Sequence, residues 1–337
     1  MKINWQKSVL FFYTALTACL LGVCLYFAYK YKFNTITYFA LIITQLWLWL
    51  IGFRDLQIKK IELFLTAPVL LSILPLAFLY PITSPEFEII GIRITPFECA
   101  AGIVFGFLIT DILTHFGNWI MKFPQSGQGL LSIWIALPLM IISIFVPALP
   151  LWVSLLSIVI FWFLLAWLSQ KNKTVQIQLE KLCTNPLLAY TLLLGLMLIF
   201  GYIVVFQPQL ISEPLEKSQS IIFLLCFSYL LNEVCLPIFS KNQKEEEETL
   251  SVLGGGDAYL NACIGSLWGA TSINTFLILA VFLAFIFIGI CKLFKINQLS
   301  SSELNLNNTS FNEIAFAPFI VFSVQLVTIL ALSRSFG

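Results

Sequence analysis

Charge is what this sequence has least of. Asp, Glu, Lys and Arg make up 10% of its 337 residues, against about 25% in soluble domains. Such a chain cannot clothe a water-facing surface, which excludes a soluble globular fold. Histidine occurs once, at His115, and no two of the eight cysteines stand as C-x-x-C. Neither a zinc site nor a disulfide framework is therefore expected, and cysteines inside apolar runs serve as small hydrophobes. The formal charge of +1 points to no charged partner, and no nucleic-acid partner is expected.

Apolar residues fill the space the charges leave. They account for 59% of the chain, with a mean hydropathy of +0.94. They gather into runs of about 20 residues, long enough to cross a bilayer as helices. The expected fold is all-α, a polytopic membrane protein of about eleven spans. These are placed at 8–29, 36–53, 63–80, 99–122, 130–146, 149–168, 186–207, 218–239, 258–273, 274–292 and 313–333. The divisions near 147 and 273 rest on "VPALP" and "GATSIN", which have the composition of tight turns.

Loop charge sets the orientation. With the N-terminus inside, thirteen of the 18 Lys and Arg residues face the cytoplasm, and Lys30, Lys32, Arg93, Lys217 and Arg334 fall outside. The expectation is N-in, C-out, with an uncleaved first helix.

Ionisable residues within apolar spans are costly, and each is a functional candidate by default. Asp111, His115 and Asn118 recur on one helix stripe in "GFLITDILTHFGNW". They form a polar seam or a proton-handling group. Glu233 in "YLLNEVCLP" lies about a turn and a half from a span end. Two further acids sit at span edges: Asp55 in "FRDLQIKKIELFLT" and Asp257 in "LGGGDAYLNACIGSLWG". The expected topology puts both at the cytoplasmic face, at similar depth. Glycines before Asp257 remove Cβ atoms and let another backbone approach.

A G-x-G-D at the cytoplasmic start of a membrane helix resembles the signature of the GxGD intramembrane aspartyl proteases, specifically the type IV prepilin peptidase family. Three stretches carry the resemblance besides "GGGD". "DLQIKKIELFLT" is similar to the family's first-aspartate pattern, with Asp55, Leu56, Ile61, Leu65 and Thr66 in register. "AYLNACIGSLWGAT" is similar to the helix after the glycine motif, and "IAFAPFIVFS" to a phrase near the C-terminus. Tyr259 stands where the family has lysine, and Glu62 where it has proline. The cysteine-rich cytoplasmic insert tied to N-methylation is missing. Asp55 and Asp257 are 202 residues apart, whereas the family usually separates its aspartates by two spans.

A duplication would account for the excess. Halves 1–168 and 169–337 would each have kept one aspartate, Asp55 in the first and Asp257 in the second. "GQG" at 127–129, followed by Leu130, would be the degenerate copy of the glycine motif.

The resemblance implies a leader-removing endopeptidase of the bacterial inner membrane. Its aspartates would be Asp55 and Asp257, and Gly254, Gly255 and Gly256 would accommodate an extended substrate. The substrate would be a prepilin-like or pseudopilin-like membrane protein, and neither a cofactor nor a metal is implied. Two carboxylates within about 3–5 Å cannot both ionise readily and share a proton, so the pair titrates as a unit. An inactive scaffold of a secretion or pilus system is one alternative. A small-molecule or ion transporter using Asp111, His115 and Glu233 is another.

Overall fold

A computed structural model describes residues 5–58, 61, 63–79, 92, 95–121, 128–145, 151–172, 174, 185–207, 214–239, 255–293 and 315–334. Among them are eleven α-helices and no strand. In chain order these are α1 (Trp5–Lys30), α2 (Thr35–Ile58), α3 (Leu63–Leu79), α4 (Pro96–Met121), α5 (Gln128–Phe145) and α6 (Leu151–Lys171). They are followed by α7 (Pro186–Phe206), α8 (Pro214–Phe239), α9 (Gly255–Trp268), α10 (Ala270–Leu293) and α11 (Ala317–Arg334). Six contain stretches long and apolar enough to cross a membrane: α1, α2, α4, α7, α10 and α11. The architecture is that of a multi-pass helical membrane protein.

Local signals set several boundaries. α4 opens on a threonine N-cap: the Glu98 amide donates to Thr95 Oγ1 at 3.3 Å, and that hydroxyl donates to Glu98 Oε2 at 3.1 Å. Pro96 fills the first helical position, where no amide partner is needed. Asn34 and Asn185 accept the amides of Thr37 and Leu188 in the same way, at 2.8 and 3.3 Å.

The turn expected near 273 lies earlier. α9 ends at Trp268 and α10 begins at Ala270, with Gly269 between them at φ 81°. The Gly269 amide closes the helix on the Gly265 carbonyl at 2.8 Å. Glycine alone in "GATSIN" takes a positive φ without steric cost, so the break falls on it and Thr271–Asn274 continue as helix. "VPALP", at 146–150, lies outside the described residues.

Packing divides the chain into two compact units, neither of them a sequence half. One comprises residues 1–102 and 255–337, the other 103–254. In the first, α1, α2 and α11 pack on one another, α11 on α10, α10 on α9, and α9 on α3. Trp47 of α2 ties in α3 by donating its indole N–H to the Leu65 carbonyl at 2.9 Å. The buried residues of α2 (Thr37, Leu41, Gln45, Leu48, Ile51, Gly52 and Asp55) recur every three or four positions, which makes one helix face. In the second unit α8 packs on α5 and α6, and α5 on α6 and α7. Ser228 of α8 donates to the Ser132 carbonyl at 2.7 Å and accepts the Trp162 indole N–H at 3.3 Å.

Two glycines set a backbone-to-backbone contact within the first unit. A Cβ on Gly102 would strike the carbonyl of Gly265, and one on Gly265 would strike the carbonyl of Gly102. Neither helix can carry a side chain there.

Candidate functional site

Asp55 occupies the last turn of α2 and is 5% exposed. A carboxylate at a helix C-terminus meets the negative end of that helix's dipole, so burial there needs compensation from elsewhere. It comes from α11. The Ala317 amide donates to Asp55 Oδ2 at 3.1 Å. Ala317 is the first residue of α11, and the Phe316 carbonyl before it accepts the Phe319 amide at 3.0 Å. The Ala317 N–H is thus one of the amides that a helix start leaves without an internal partner. The positive end of the α11 dipole faces the same carboxylate.

Asp257 lies in the first turn of α9 and is half-buried. At a helix N-terminus an acid is favoured by the dipole. The residue before it, Gly256, sits against the segment that follows Asp55. A Cβ on Gly256 would come within 2.7 Å of Ile61 Cβ and 3.1 Å of the Ile61 carbonyl. Farther on, Cys263 of α9 donates its thiol to the Thr66 carbonyl of α3 at 3.3 Å. Advancing along the chain from Ile61 to Thr66 advances along α9 from Gly256 to Cys263. The helices α3 and α9 therefore run in the same direction from one end of this unit. The same end holds the close of α2 and the start of α11, because Asp55 and Ala317 meet there.

The "DLQIKKIELFLT", "GGGD" and "IAFAPF" stretches are thus in contact within one unit. The approach permitted at Gly256 is made by the chain's own Ile61. Gly255 and Gly256 are helical, as the opening residues of α9; Gly254 lies outside the described residues. Tyr13 of α1 joins this end without having stood out in the sequence. It is 2% exposed, it donates to the Trp49 carbonyl at 3.2 Å, and a Cβ on Gly52 would strike its hydroxyl. Gly52 is the opening through which Tyr13 reaches α2, one turn before Asp55.

Asp111 and His115 belong to the other unit. His115 Nδ1 lies 2.6 Å from the Asp111 backbone carbonyl and 3.0 Å from the Tyr190 hydroxyl of α7. The Tyr229 hydroxyl of α8 reaches Asp111 Oδ2 at 3.5 Å, and its ring stacks on Phe107 at 5.2 Å between centroids. The seam is thus a cluster drawn from three helices, with Asn118 buried one turn beyond His115. The backbone of Glu233 lies in α8, but its side chain is outside the described ones. Tyr190 and Tyr229 were missed in the sequence because tyrosine within an apolar run is common core material. Only the helix packing selects these two.

Among the described residues no three His, Cys, Asp or Glu side chains gather to hold a metal ion. Set against known proteins, the chain matches no family model, no curated protein and no solved structure.

Proposed function

We propose that this protein is an intramembrane aspartyl endopeptidase that removes the leader of prepilin-like or pseudopilin-like membrane proteins. What supports this is the meeting, in one unit, of the stretches that carry the resemblance: Asp55 with the start of α11, and Ile61 with Gly256. Segments separated by up to 262 positions have no local reason to converge at one helix end.

In the proposed reaction one carboxylate of the Asp55–Asp257 pair takes a proton from a water molecule. That water attacks the scissile carbonyl, which the protonated partner polarises by donating a hydrogen bond. The tetrahedral intermediate then collapses as the leaving amine is protonated. The chain crosses the inner membrane eleven times, N-in and C-out, with both aspartates toward the cytoplasm, where a short basic leader would lie.

Two departures, Tyr259 and Glu62, favour a second reading: a scaffold of a secretion or pilus system that has kept the architecture without the activity. Incubating purified protein in lipid with a substrate bearing a basic leader and an apolar helix, and reading product termini by mass spectrometry, separates the two. The peptidase yields one cut at the leader boundary that disappears in Asp55→Asn and in Asp257→Asn. The scaffold binds the substrate and returns it intact.

A further inference from the structure

We propose that the first unit binds internal water in the core shared by α1, α2 and α11, at a site built by Gln45, Trp49 and Gln325. Gln45 and Gln325 are each 1% exposed. Neither the amide nitrogen nor the oxygen of Gln45 has a partner among the described residues. The same holds for the buried side-chain oxygen of Gln325 and the buried indole nitrogen of Trp49. Polar atoms shut away from solvent cost free energy until something bonds them.

Helix register brings these side chains to one level. α2 runs into the meeting point of Asp55 and Ala317, and α11 runs away from it, so depth is counted from there along both. At 1.5 Å per residue Trp49 lies about 9 Å and Gln45 about 15 Å along α2, and Gln325 about 12 Å along α11. Gln325 thus falls between the other two in depth. Tyr13 of α1 marks the flanks that face one another. Its hydroxyl donates to the Trp49 carbonyl and lies over Gly52, and its ring packs edge-on against Phe322 at 5.4 Å between centroids. Gln45 stands one turn from Trp49 and two turns from Gly52 on α2, and Gln325 one turn beyond Phe322 on α11.

The mix of atoms selects the occupant. Thr17, one turn after Tyr13, and Thr328, one turn after Gln325, are each 2% exposed. Their hydroxyls donate to the Tyr13 and Val324 carbonyls at 2.8 Å, which leaves their oxygens to act as acceptors. A cation would meet only the oxygens of this site, and an anion only the N–H groups of Gln45 and Trp49. Water donates and accepts, so it answers both kinds, and a buried water makes about three such bonds.

Solid-state NMR of the full chain in lipid, labelled with 15N-tryptophan, reads magnetisation transfer from water to each indole N–H. The signals are assigned through the tryptophans' own backbone amides. Trp162 is the dry reference, 3% exposed with its indole bonded to Ser228. Transfer to the Trp49 indole should build up several-fold faster than transfer to that of Trp162. In the double variant Gln45→Leu/Gln325→Leu it should fall to the Trp162 rate, because one indole N–H alone does not hold a buried water. That variant removes the amides and the water together, so the fold should persist. Asp55→Asn should leave the transfer unchanged whether or not the peptidase proposal survives, and so should replacing alkali cations by a bulky organic one. A Trp49 indole as dry as Trp162, transfer that survives in the folded double variant, or transfer lost with the alkali cations would overturn the proposal. If the double variant fails to fold, the wild-type contrast between the two indoles still decides for or against it.

Discussion

Asp55 and Asp111 are both acids on apolar helices, and the two units hold them by different means. Asp55 is supported by main chain: a helix-start amide from α11, in a unit where glycines bring backbones into contact at Gly256–Ile61 and Gly102–Gly265. The Asp111 carboxylate meets a side chain instead, the Tyr229 hydroxyl at 3.5 Å, while the Asp111 backbone carbonyl lies 2.6 Å from His115 Nδ1, which the Tyr190 hydroxyl approaches at 3.0 Å. Support from a backbone amide leaves the Asp55 carboxylate's position fixed by a helix end, which under the proposed function suits an acid that must meet a peptide bond in one geometry. On the proposed function, hydrolysis belongs to the first unit.

The largest effect that would break this comparison is on turnover. Asp55→Asn and Asp257→Asn should each cost about 10²–10⁴-fold in leader cleavage, the range for loss of a positioned acid or base. Asp111→Asn and His115→Asn should leave cleavage near wild type. A peptidase assay on detergent-purified variants with matched thermal unfolding decides it, and loss of cleavage in Asp111→Asn would merge the two sites.

Glycine substitutions sharpen the structural half. Gly102→Ala and Gly265→Ala set a Cβ against a facing backbone carbonyl that cannot swing aside, and should destabilise by about 1–3 kcal/mol or more. Gly256→Ala should cost somewhat less, because its overlap is the smaller one, with Ile61 Cβ at 2.7 Å and the Ile61 carbonyl at 3.1 Å, and it should lower cleavage along with stability. Gly195 and Gly289 meet nothing within 4 Å. Their alanine variants should be neutral or gain up to about 1 kcal/mol from helix propensity. Thermal unfolding of the five variants in one lipid gives the ranking.

Smaller effects follow from hydrogen bonds. Tyr13→Phe removes the donor to the Trp49 carbonyl and should cost about 1 kcal/mol. Gln45, on the same α2 face as Asp55, is 1% exposed, and neither its amide nitrogen nor its oxygen has a partner among the described residues. Gln45→Leu should therefore be neutral or stabilising in thermal unfolding, with cleavage retained.

Much of the fold was legible because apolar runs and caps are local. "TPFE" announces the start of α4, and "NP" the start of α7. The convergence of three motifs was legible only through resemblance, and the Ala317 amide was not legible at all, since a main-chain donor leaves no mark on residue type. The turn at Gly269 was misplaced because polar residues after it suggested a loop, while a single left-handed glycine suffices to break the helix. Tyr190 and Tyr229 reach His115 and Asp111 across 75 and 118 positions, and no spacing rule spans such distances. The division into units is a matter of contacts, so Asp55 and Asp257 fall together although 202 residues separate them.

The central claim is that Asp55 and Asp257 act as one catalytic pair, and a double-variant comparison tests it most directly. Leader cleavage is measured for Asp55→Asn, Asp257→Asn and the combined variant, each checked for folding. Residues that act as a unit are grossly non-additive. The account predicts that the combined variant is no slower than either single one. Losses that multiply, or a single variant that keeps wild-type cleavage, would show that the two aspartates work apart.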